Sequence, residues 1–328
     1  MAYKSYNNLV QKLYDNLILT GSISIDRIMN FNGHYKDLIQ ADKLHVLSLS
    51  ILIDKLTNSR GGVATNIAYN LALLGESPIV VGSIGNDAGS YLSDFEKLGV
   101  ITEHVHVSDL PTATFTVLTD SDDNQVGGFY PGAMSDISKL SLKPWYNTSS
   151  LVVISAGDPL GMDQLVKECI ANNLDYVYDL GQQVTNITTD QMKLGLSRAK
   201  ILFGNDYEIG TILGRTGMSE TELNSLIPII VTTLGEKGTT LSGSTQKTPL
   251  KIGAVNGVVA VDPTGAGDSY RAGFLYGYLR NWDLESCIEL GSTIATYTIA
   301  MHGTQTHTFT LDQVREKHYS AYGKHLPK

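Results

Sequence analysis

A glycine-rich turn between two acidic residues is the part of the sequence best suited to chemistry. Residues 262–268 read DPTGAGD, after an apolar stretch and before a helical pattern. Glycine lets the backbone approach a ligand closely, and the first N–H groups of a helix lack partners within the helix. With the helix dipole, Gly265, Ala266 and Gly267 could form an anion hole. Phosphoryl transfer needs such a hole, because charge spreads over the transferred group.

The last residue of this turn, Asp268, is placed in or next to the first turn of the predicted helix. Its carboxylate could accept the proton of an attacking hydroxyl and so act as a general base. An ordinary capped helix is the alternative, since Asp is common at such positions. The turn is not a P-loop, because it lacks Gly-Lys-Ser/Thr, and it lacks the spacing and position of a Rossmann fingerprint.

Two segments nearer the N-terminus carry groups that could bind a sugar. GSISID follows the first predicted strand, and the carboxylate of Asp26 could accept hydrogen bonds from two adjacent hydroxyls. Within residues 60–75, the bare backbone at Gly61 and Gly62 and the amide of Asn66 could face a ribose. A turn aspartate and a helix that packs on a sheet are the alternative readings.

Short apolar runs alternate with helical patterns, which predicts an α/β fold with a mostly parallel central sheet and helices on both faces. Strands are predicted at residues 17–20, 78–81, 151–155, 176–178, 200–203 and 229–233, with a further strand ending near residue 261. Helices are predicted at residues 63–74, 88–98, 165–170, 269–280 and 284–301.

Two segments interrupt this alternation. Residues 27–60 and 112–130 lack a strong helical pattern but contain the β-rich stretches SLSILI at 48–53 and TFTVLT at 114–119. We predict that they form a small β-rich lid over the site, with an extra edge of the main sheet as the alternative. Residues 1–328 are thus expected to form a single α/β domain that carries this lid.

Together with the following SYRAGFLYG, the turn DPTGAGD resembles the C-terminal signature of the ribokinase-like, phosphofructokinase-B type carbohydrate kinases. The resemblance implies the ribokinase-like three-layer fold. It also implies ATP and Mg²⁺ as cofactors, with a monovalent cation such as K⁺ as a further candidate. In that family the last Asp of the motif is the base and the GAG backbone is the anion hole. These roles fall on Asp268 and on Gly265, Ala266 and Gly267.

Other motifs occur in the order found in this family. For the substrate, the resemblance implies Ser22, Asp26, Gly62 and Asn66. In FGNDYEIG, Asn205 and Glu208 match an Asn-x-x-Glu motif that helps to organise Mg²⁺, water and phosphate. VTTLGEKG resembles the nucleotide-binding turn, and it places Thr233, Gly235 and Gly238 near ATP.

Further stretches resemble the bacterial and archaeal adenosine-kinase-like branch of the family. They match Ser50, Phe115 and Phe129 to residues that face the nucleoside in that branch. Two flat rings could sandwich a purine, each contributing about 1–3 kcal/mol by analogy with base stacking. Lid or core packing is the alternative for both rings. The branch implies phosphorylation of the 5′-hydroxyl of a nucleoside, with adenosine as the first candidate.

Departures from the branch pattern leave other substrates open. Asn186 stands where the branch leads us to expect a substrate-contacting Arg, and Thr306 replaces a Glu. Inosine, guanosine, cytidine or a plain sugar, as for a ribokinase- or fructokinase-like enzyme, are therefore alternatives. A non-catalytic nucleoside-binding protein is a further alternative, against which Asp268 and the complete GAG turn both argue.

The charge and composition of the chain limit the kinds of partner that we expect it to bind. A net charge of −9 disfavours binding along a nucleic-acid backbone. The polar N-terminus is unlike a signal peptide, and no apolar run has transmembrane length, so we predict a cytoplasmic protein without a membrane partner. Cys169 and Cys287 are predicted to be buried thiols. A homodimer through exposed lid strands is also predicted.

Overall fold

The structure, a computed structural model, describes residues 12–39, 45, 48–122 and 124–328. The strands in chain order are β1 Asn16–Thr20, β2 Ser24–Asn30, β3 Lys55–Gly61, β4 Ile79–Gly85, β5 Val105–Ser108, β6 Ala113–Thr119, β7 Gln125–Tyr130, β8 Ser150–Ile154, β9 Asp175–Asp179, β10 Ile201–Asn205, β11 Ile229–Thr233, β12 Thr239–Ser242 and β13 Leu250–Ile252. The α-helices are α1 Tyr35–Leu38, α2 Val63–Leu73, α3 Tyr91–Lys97, α4 Pro159–Ala171, α5 Thr189–Leu196, α6 Asp206–Thr216, α7 Glu220–Leu226, α8 Ala266–Leu279, α9 Leu284–Ile299 and α10 Leu311–Tyr322.

Nine strands form the main sheet in the order β13-β12-β11-β10-β9-β8-β1-β4-β5. The strands from β11 to β5 pair in parallel, and β12 and β13 add an antiparallel edge. Successive side chains of a strand point to opposite faces, and β1 shows the result. Leu19 packs in one core cluster with Ile67 of α2 and Phe274 of α8, whereas Ile18 packs in another with Val166 of α4. The predicted three-layer arrangement is therefore confirmed.

A second, four-stranded sheet has the order β3-β2-β6-β7 and comes from the two segments that were predicted to form the lid. The strand predicted at residues 48–53 is wrong, because these described residues form no strand and Leu52 is 86% exposed. The paired strand is instead Lys55–Gly61, which aligns Ser59 with Asp26 of β2. Pairing with β2 decides the position of this strand, and the apolar run next to it stays outside the sheet.

The strand predicted to end near Val261 is also wrong. Residues 258–261, all within the described part of the chain, are irregular, and Val259 is exposed. The N–H of Val261 donates to the carbonyl of Ile299 at the end of α9, at 2.7 Å. The apolar run leads into the DPTGAGD turn along a helix end instead of along a sheet.

Two simpler predictions agree with the structure. Cys169 in α4 and Cys287 in α9 are buried free thiols, and burial raises the thiol pKa of Cys169 to about 12. Among the described residues, no helix combines the length and the apolar character that crossing a bilayer requires.

Candidate active site

A cavity of about 430 Å³ lies between the carboxyl ends of central strands and the four-stranded sheet. This position follows from the fold, since parallel α/β sheets bind ligands at the carboxyl ends of their strands. The predicted residues that line the cavity are Ser22, Asp26, Gly62, Asn66, Phe115, Phe129, Gly265 and Asp268. Residues that are far apart in the sequence therefore meet in one place.

Asp268 lies in the first turn of α8 and is held by a hydrogen bond from another helix. The side-chain amide Nδ2 of Asn66 in α2 donates to its Oδ2 at 2.8 Å. Burial raises the pKa of Asp268 to about 7, against the opposing effects of Arg271 and of the Asn66 hydrogen bond. A carboxylate whose pKa lies near neutrality is suited to accept a proton in catalysis.

Asp26, on β2, is the second carboxylate of the cavity. Burial raises its pKa to about 6, and Ser24 Oγ donates a weak hydrogen bond to Oδ1 at 3.4 Å. The bare face of Gly61 abuts this carboxylate, because a Cβ there would lie 2.5 Å from Asp26 Cγ. Gly61 was expected to face a ribose; in the structure it makes room for the Asp26 side chain.

Ser22 and Gly62 shape the entry to α2. Ser22 Oγ accepts a hydrogen bond from the N–H of Val63 at 3.0 Å, so its hydroxyl proton can still be donated to a ligand. Gly62 has a φ of 99°, and a Cβ there would lie 2.5 Å from the carbonyl oxygen of Ser22. Only glycine meets both demands, which keeps the backbone of this corner of the cavity bare.

The aromatic wall of the cavity comes from the four-stranded sheet. Phe115 of β6 and Phe129 of β7 are directly opposite each other across an antiparallel pair, and they are 38% and 45% exposed. The ring of Phe115 lies against the bare face of Gly127, where a Cβ would be 3.1 Å from Cε2. These exposed rings face a cavity that also holds two carboxylates, so core packing does not account for them.

A buried ion pair that the sequence analysis missed packs against the DPTGAGD turn. Arg271 binds Asp179, at the end of β9, through two contacts: Nη2 to Oδ1 at 2.6 Å and Nε to Oδ2 at 2.5 Å. A Cβ on Gly267 would lie 2.5 Å from Arg271 Nη1. Arg271 therefore packs directly against the turn, and its spacing of three residues after Asp268 on one helix was the available signal.

The glycines of the turn have different roles. Gly265 precedes α8 with a φ of 77°, and a Cβ there would lie 2.8 Å from Thr304 Cγ2. Gly267 and Ala266 lie within the first helical turn. Left-handed backbone is thus required at Gly265, whereas Gly267 is needed for close packing.

The predicted nucleotide residues lie further along the same sheet edge and do not line the cavity. Asn205, which ends β10, is paired in register with Thr233, which ends β11. Asn205 and Glu208 form a reciprocal capping box at the start of α6, with both hydrogen bonds at 2.8 Å. Burial raises the pKa of Glu208, with a smaller contribution from the charge of Asp179.

The turn after β11 keeps the glycines that were predicted to lie near ATP. Gly235 and Gly238 have φ values of 58° and 91°. A Cβ on Gly238 would lie 2.8 Å from the N of Ala254. Their left-handed backbone favours glycine here for structural reasons alone.

Ser50 is the predicted substrate residue that the structure does not bring to the cavity. It is exposed in the irregular stretch before β3 and is absent from the described residues that line the cavity. Lining residues that the sequence analysis did not assign are Ser24, Val63, Met134, Ala156, Gln182, Gln183, Asn186, Thr264 and Thr304. Asn186, noted only as a departure, donates from Nδ2 to Gln183 Oε1 at 2.9 Å.

Comparison with known proteins agrees with this geometry. Residues 19–310 match the family model described as pfkB family carbohydrate kinase. The chain belongs to this family.

Relatives within the pfkB family cover nearly the whole chain. A nucleoside kinase of Methanothermobacter thermautotrophicus is 32% identical over 87% of this chain and 93% of its own. A second nucleoside kinase, from Methanocaldococcus jannaschii, is 28% identical over 85% of this chain and 92% of its own. As a pfkB family kinase, the protein is a phosphotransferase that acts on a hydroxyl group.

The solved structure of Burkholderia thailandensis nucleoside kinase in complex with inosine superposes with a TM-score of 0.84. It is 30% identical and covers 94% of this chain and 99% of its own. The same protein has also been solved in complex with ADP-inosine. Use of ATP follows from membership of a kinase family whose members bind adenine nucleotides.

Proposed function

We propose that the protein is a nucleoside kinase that transfers the γ-phosphoryl group of ATP to the 5′-hydroxyl, with adenosine as the favoured substrate. One observation supports it above the others. A single cavity holds the buried carboxylates Asp26 and Asp268 together with the exposed rings of Phe115 and Phe129. A sugar kinase would have use for the carboxylates, but the two rings fit a flat base.

Each group has a role in this proposal. Asp26 accepts hydrogen bonds from the two adjacent ribose hydroxyls, and the rings contact the base. The 5′-hydroxyl then lies near Asp268, which takes its proton while the backbone at Gly265 and Gly267 stabilises the transferred group. Positioning and charge stabilisation are the main demands of phosphoryl transfer, because the protein supplies little covalent chemistry.

The edge formed by β10 and β11 is the proposed nucleotide site. Glu208 fits a role in organising Mg²⁺ through water, because a carboxylate is a suitable hard ligand and Mg²⁺ usually keeps several waters. Bound Mg²⁺ would neutralise charge on the β- and γ-phosphates. The capping box with Asn205 holds the Glu208 side chain in place for this role.

A substrate panel with ATP tests the nucleoside assignment. We expect kcat/KM for adenosine to exceed that for ribose by about 10²-fold or more, because ribose gains nothing from the two rings. Phe115→Ala or Phe129→Ala should lower kcat/KM for adenosine by about 5- to 150-fold and leave ribose unaffected. Asp26→Ala should lower kcat/KM for adenosine and for ribose alike. Steady-state kinetics with adenosine, inosine, guanosine, cytidine, ribose and fructose measures these values.

Val126→Ala is the matched control, because Val126 is 60% exposed on β7 and is absent from the described lining of the cavity. It should keep wild-type kinetics. If ribose or fructose is the better substrate and both Phe variants keep the wild-type kcat/KM, the sugar-kinase alternative replaces the nucleoside assignment. If inosine exceeds adenosine and the Phe variants still lose activity, the base is reassigned while the nucleoside class stands.

Three further statements stay predictions. A monovalent cation such as K⁺ is expected from the family resemblance, without an assigned residue. The cytoplasmic location rests on the sequence alone. A homodimer through the four-stranded sheet would use its edge strands, β3 and β7, and every residue of β7 is exposed.

A further inference from the structure

We propose that Gln305 is a positioning residue for the base, because it fixes the orientation of the Asn66 amide that donates to Asp268. The inference rests on the proposed role of Asp268. Gln305 itself is buried, with 6% exposure, and lies in the loop after α9. It is absent from the described lining of the substrate cavity, so it acts through Asn66.

The contacts form a short chain that ends at the carboxylate. Gln305 Nε2 donates to Asn66 Oδ1 at 2.9 Å, and Asn66 Nδ2 donates to Asp268 Oδ2 at 2.8 Å. At the other end, Gln305 Nε2 is 3.4 Å from the hydroxyl oxygen of Tyr91. Each amide presents one donor side and one acceptor side, so the orientation of one fixes the orientation of the next.

Tyr91 fixes the polarity of this chain. Its hydroxyl is 2.7 Å from the carbonyl of Gly61 and 3.0 Å from Thr65 Oγ1. The Thr65 hydroxyl donates to the same carbonyl at 2.7 Å, so Tyr91 donates its single proton here and its oxygen remains an acceptor. Gln305 must therefore turn Nε2 toward Tyr91.

The side-chain oxygen of Gln305 does not determine the orientation of the amide. Its Oε1 has no hydrogen-bond partner among the described residues. Tyr91 and Asn66 are thus the groups that hold the amide. If Gln305 no longer donated, Asn66 could rotate and point Oδ1 at Asp268, and two acceptors would then face each other.

The charged groups that face Asp268 are Arg271 on the same helix, Asp179 at the end of β9 and Asp26 on β2. Arg271 favours the ionised carboxylate, and the two aspartates oppose it. The Asn66 donor adds to the effect of Arg271. Losing this donor should favour the protonated, inactive base, while the three charges stay in place.

The test is the pH profile of kcat/KM for Gln305→Met, a variant of similar length without donor or acceptor. We expect the acid limb to move to higher pH by about one unit, because a hydrogen bond to the ionised form is lost. Activity should fall about tenfold on that limb and recover at alkaline pH. A merely structural role would lower activity at every pH. An acid limb at the wild-type pH in the folded variant overturns the proposal.

A double-mutant cycle tests the route through Asn66. In an Asn66→Ala background, Gln305→Met should cause no further shift of the acid limb, whereas an undiminished second shift contradicts the route. Gln246→Met is the matched control, since Gln246 lies after β12 at the opposite end of the strands, and its profile should not move.

Two more variants keep the result interpretable. If Gln305→Met does not fold, Tyr91→Phe is measured in its place. It should move the acid limb of the pH profile to higher pH by a smaller amount. An unshifted acid limb in folded Tyr91→Phe overturns the proposal. Asp268→Asn is measured in parallel. If Asp268→Asn is fully active, Asp268 is not the general base. If Asp268→Asn is inactive but the pH profile of Gln305→Met is unshifted, only the positioning role of Gln305 is excluded.

Discussion

Replacing Asp268 with asparagine should lower kcat by about 10²–10⁴-fold while nucleoside binding is largely kept. Asparagine preserves the shape and can still accept the hydrogen bond from Asn66, but it cannot take the proton of the attacking hydroxyl. Steady-state kinetics gives kcat, and calorimetric titration with adenosine gives the binding affinity. Near-wild-type turnover would exclude Asp268 from the mechanism.

The same variant should be at least as stable as the wild type at neutral pH. Burial raises the pKa of Asp268 to about 7 from its ordinary value of 3.8. Folding therefore favours the protonated carboxyl, and this contribution to stability is complete below about pH 4 and is lost as the pH rises through 7. An amide carries no charge to desolvate, so thermal unfolding should show a Tm equal to or above that of the wild type. A lowered Tm would indicate that Asp268 also stabilises the fold.

Gly267→Val should reduce kcat by about 10²–10³-fold or more, because it displaces the groups that stabilise the transferred phosphoryl group. The reason is steric, since a Cβ would lie 2.5 Å from Arg271 Nη1. Arg271 cannot move freely, because two contacts hold it to Asp179. Either the guanidinium or the first turn of α8 must shift. Single-turnover kinetics at saturating ATP measures the chemical step.

Gly214→Val is the matched control for this substitution. Gly214 lies on α6, is exposed, and would find no atom within 4 Å of an added Cβ. Valine is favoured over glycine within a helix, so this variant should be fully active and no less stable. An active Gly267→Val enzyme would refute the anion hole. Thermal unfolding of both variants separates lost chemistry from lost structure, and a crystal structure of folded Gly267→Val would show which group moved.

Much of the fold could be predicted because the signals were local. Residues 229–233 and 151–155 are apolar runs with strand length, and both positions agree with β11 and β8 to within a residue. The strands predicted at residues 48–53 and near 261 were wrong for a different reason. Apolar side chains favour a strand, but a strand also needs a backbone partner, and the sequence does not name the partner.

The residues of the candidate site also fall into two groups, those that the sequence predicted and those that only the structure shows. Asp26, Asn66 and Asp268 belong to segments with a motif of their own, so they could be assigned separately. Arg271 and Gln305 were not assigned, although Arg271 follows Asp268 by three residues on one helix, because their importance lies in contacts across the chain, to Asp179 and to Asn66. Gln305 lies in the segment where Thr306 departs from the branch pattern, but the sequence does not show that its amide contacts Asn66. Only the packing of the loop after α9 against α2 shows it.

The most direct test of the nucleoside-kinase proposal is to identify the product. The purified protein is incubated with adenosine, ATP and Mg²⁺, and the mixture is followed by phosphorus NMR and mass spectrometry. We expect equal amounts of ADP and adenosine 5′-monophosphate, with the new phosphate on the 5′-oxygen, and far slower formation of both products with Asp268→Asn. Hydrolysis of ATP without a phosphorylated nucleoside, or phosphate on a ribose 2′- or 3′-oxygen, would contradict it.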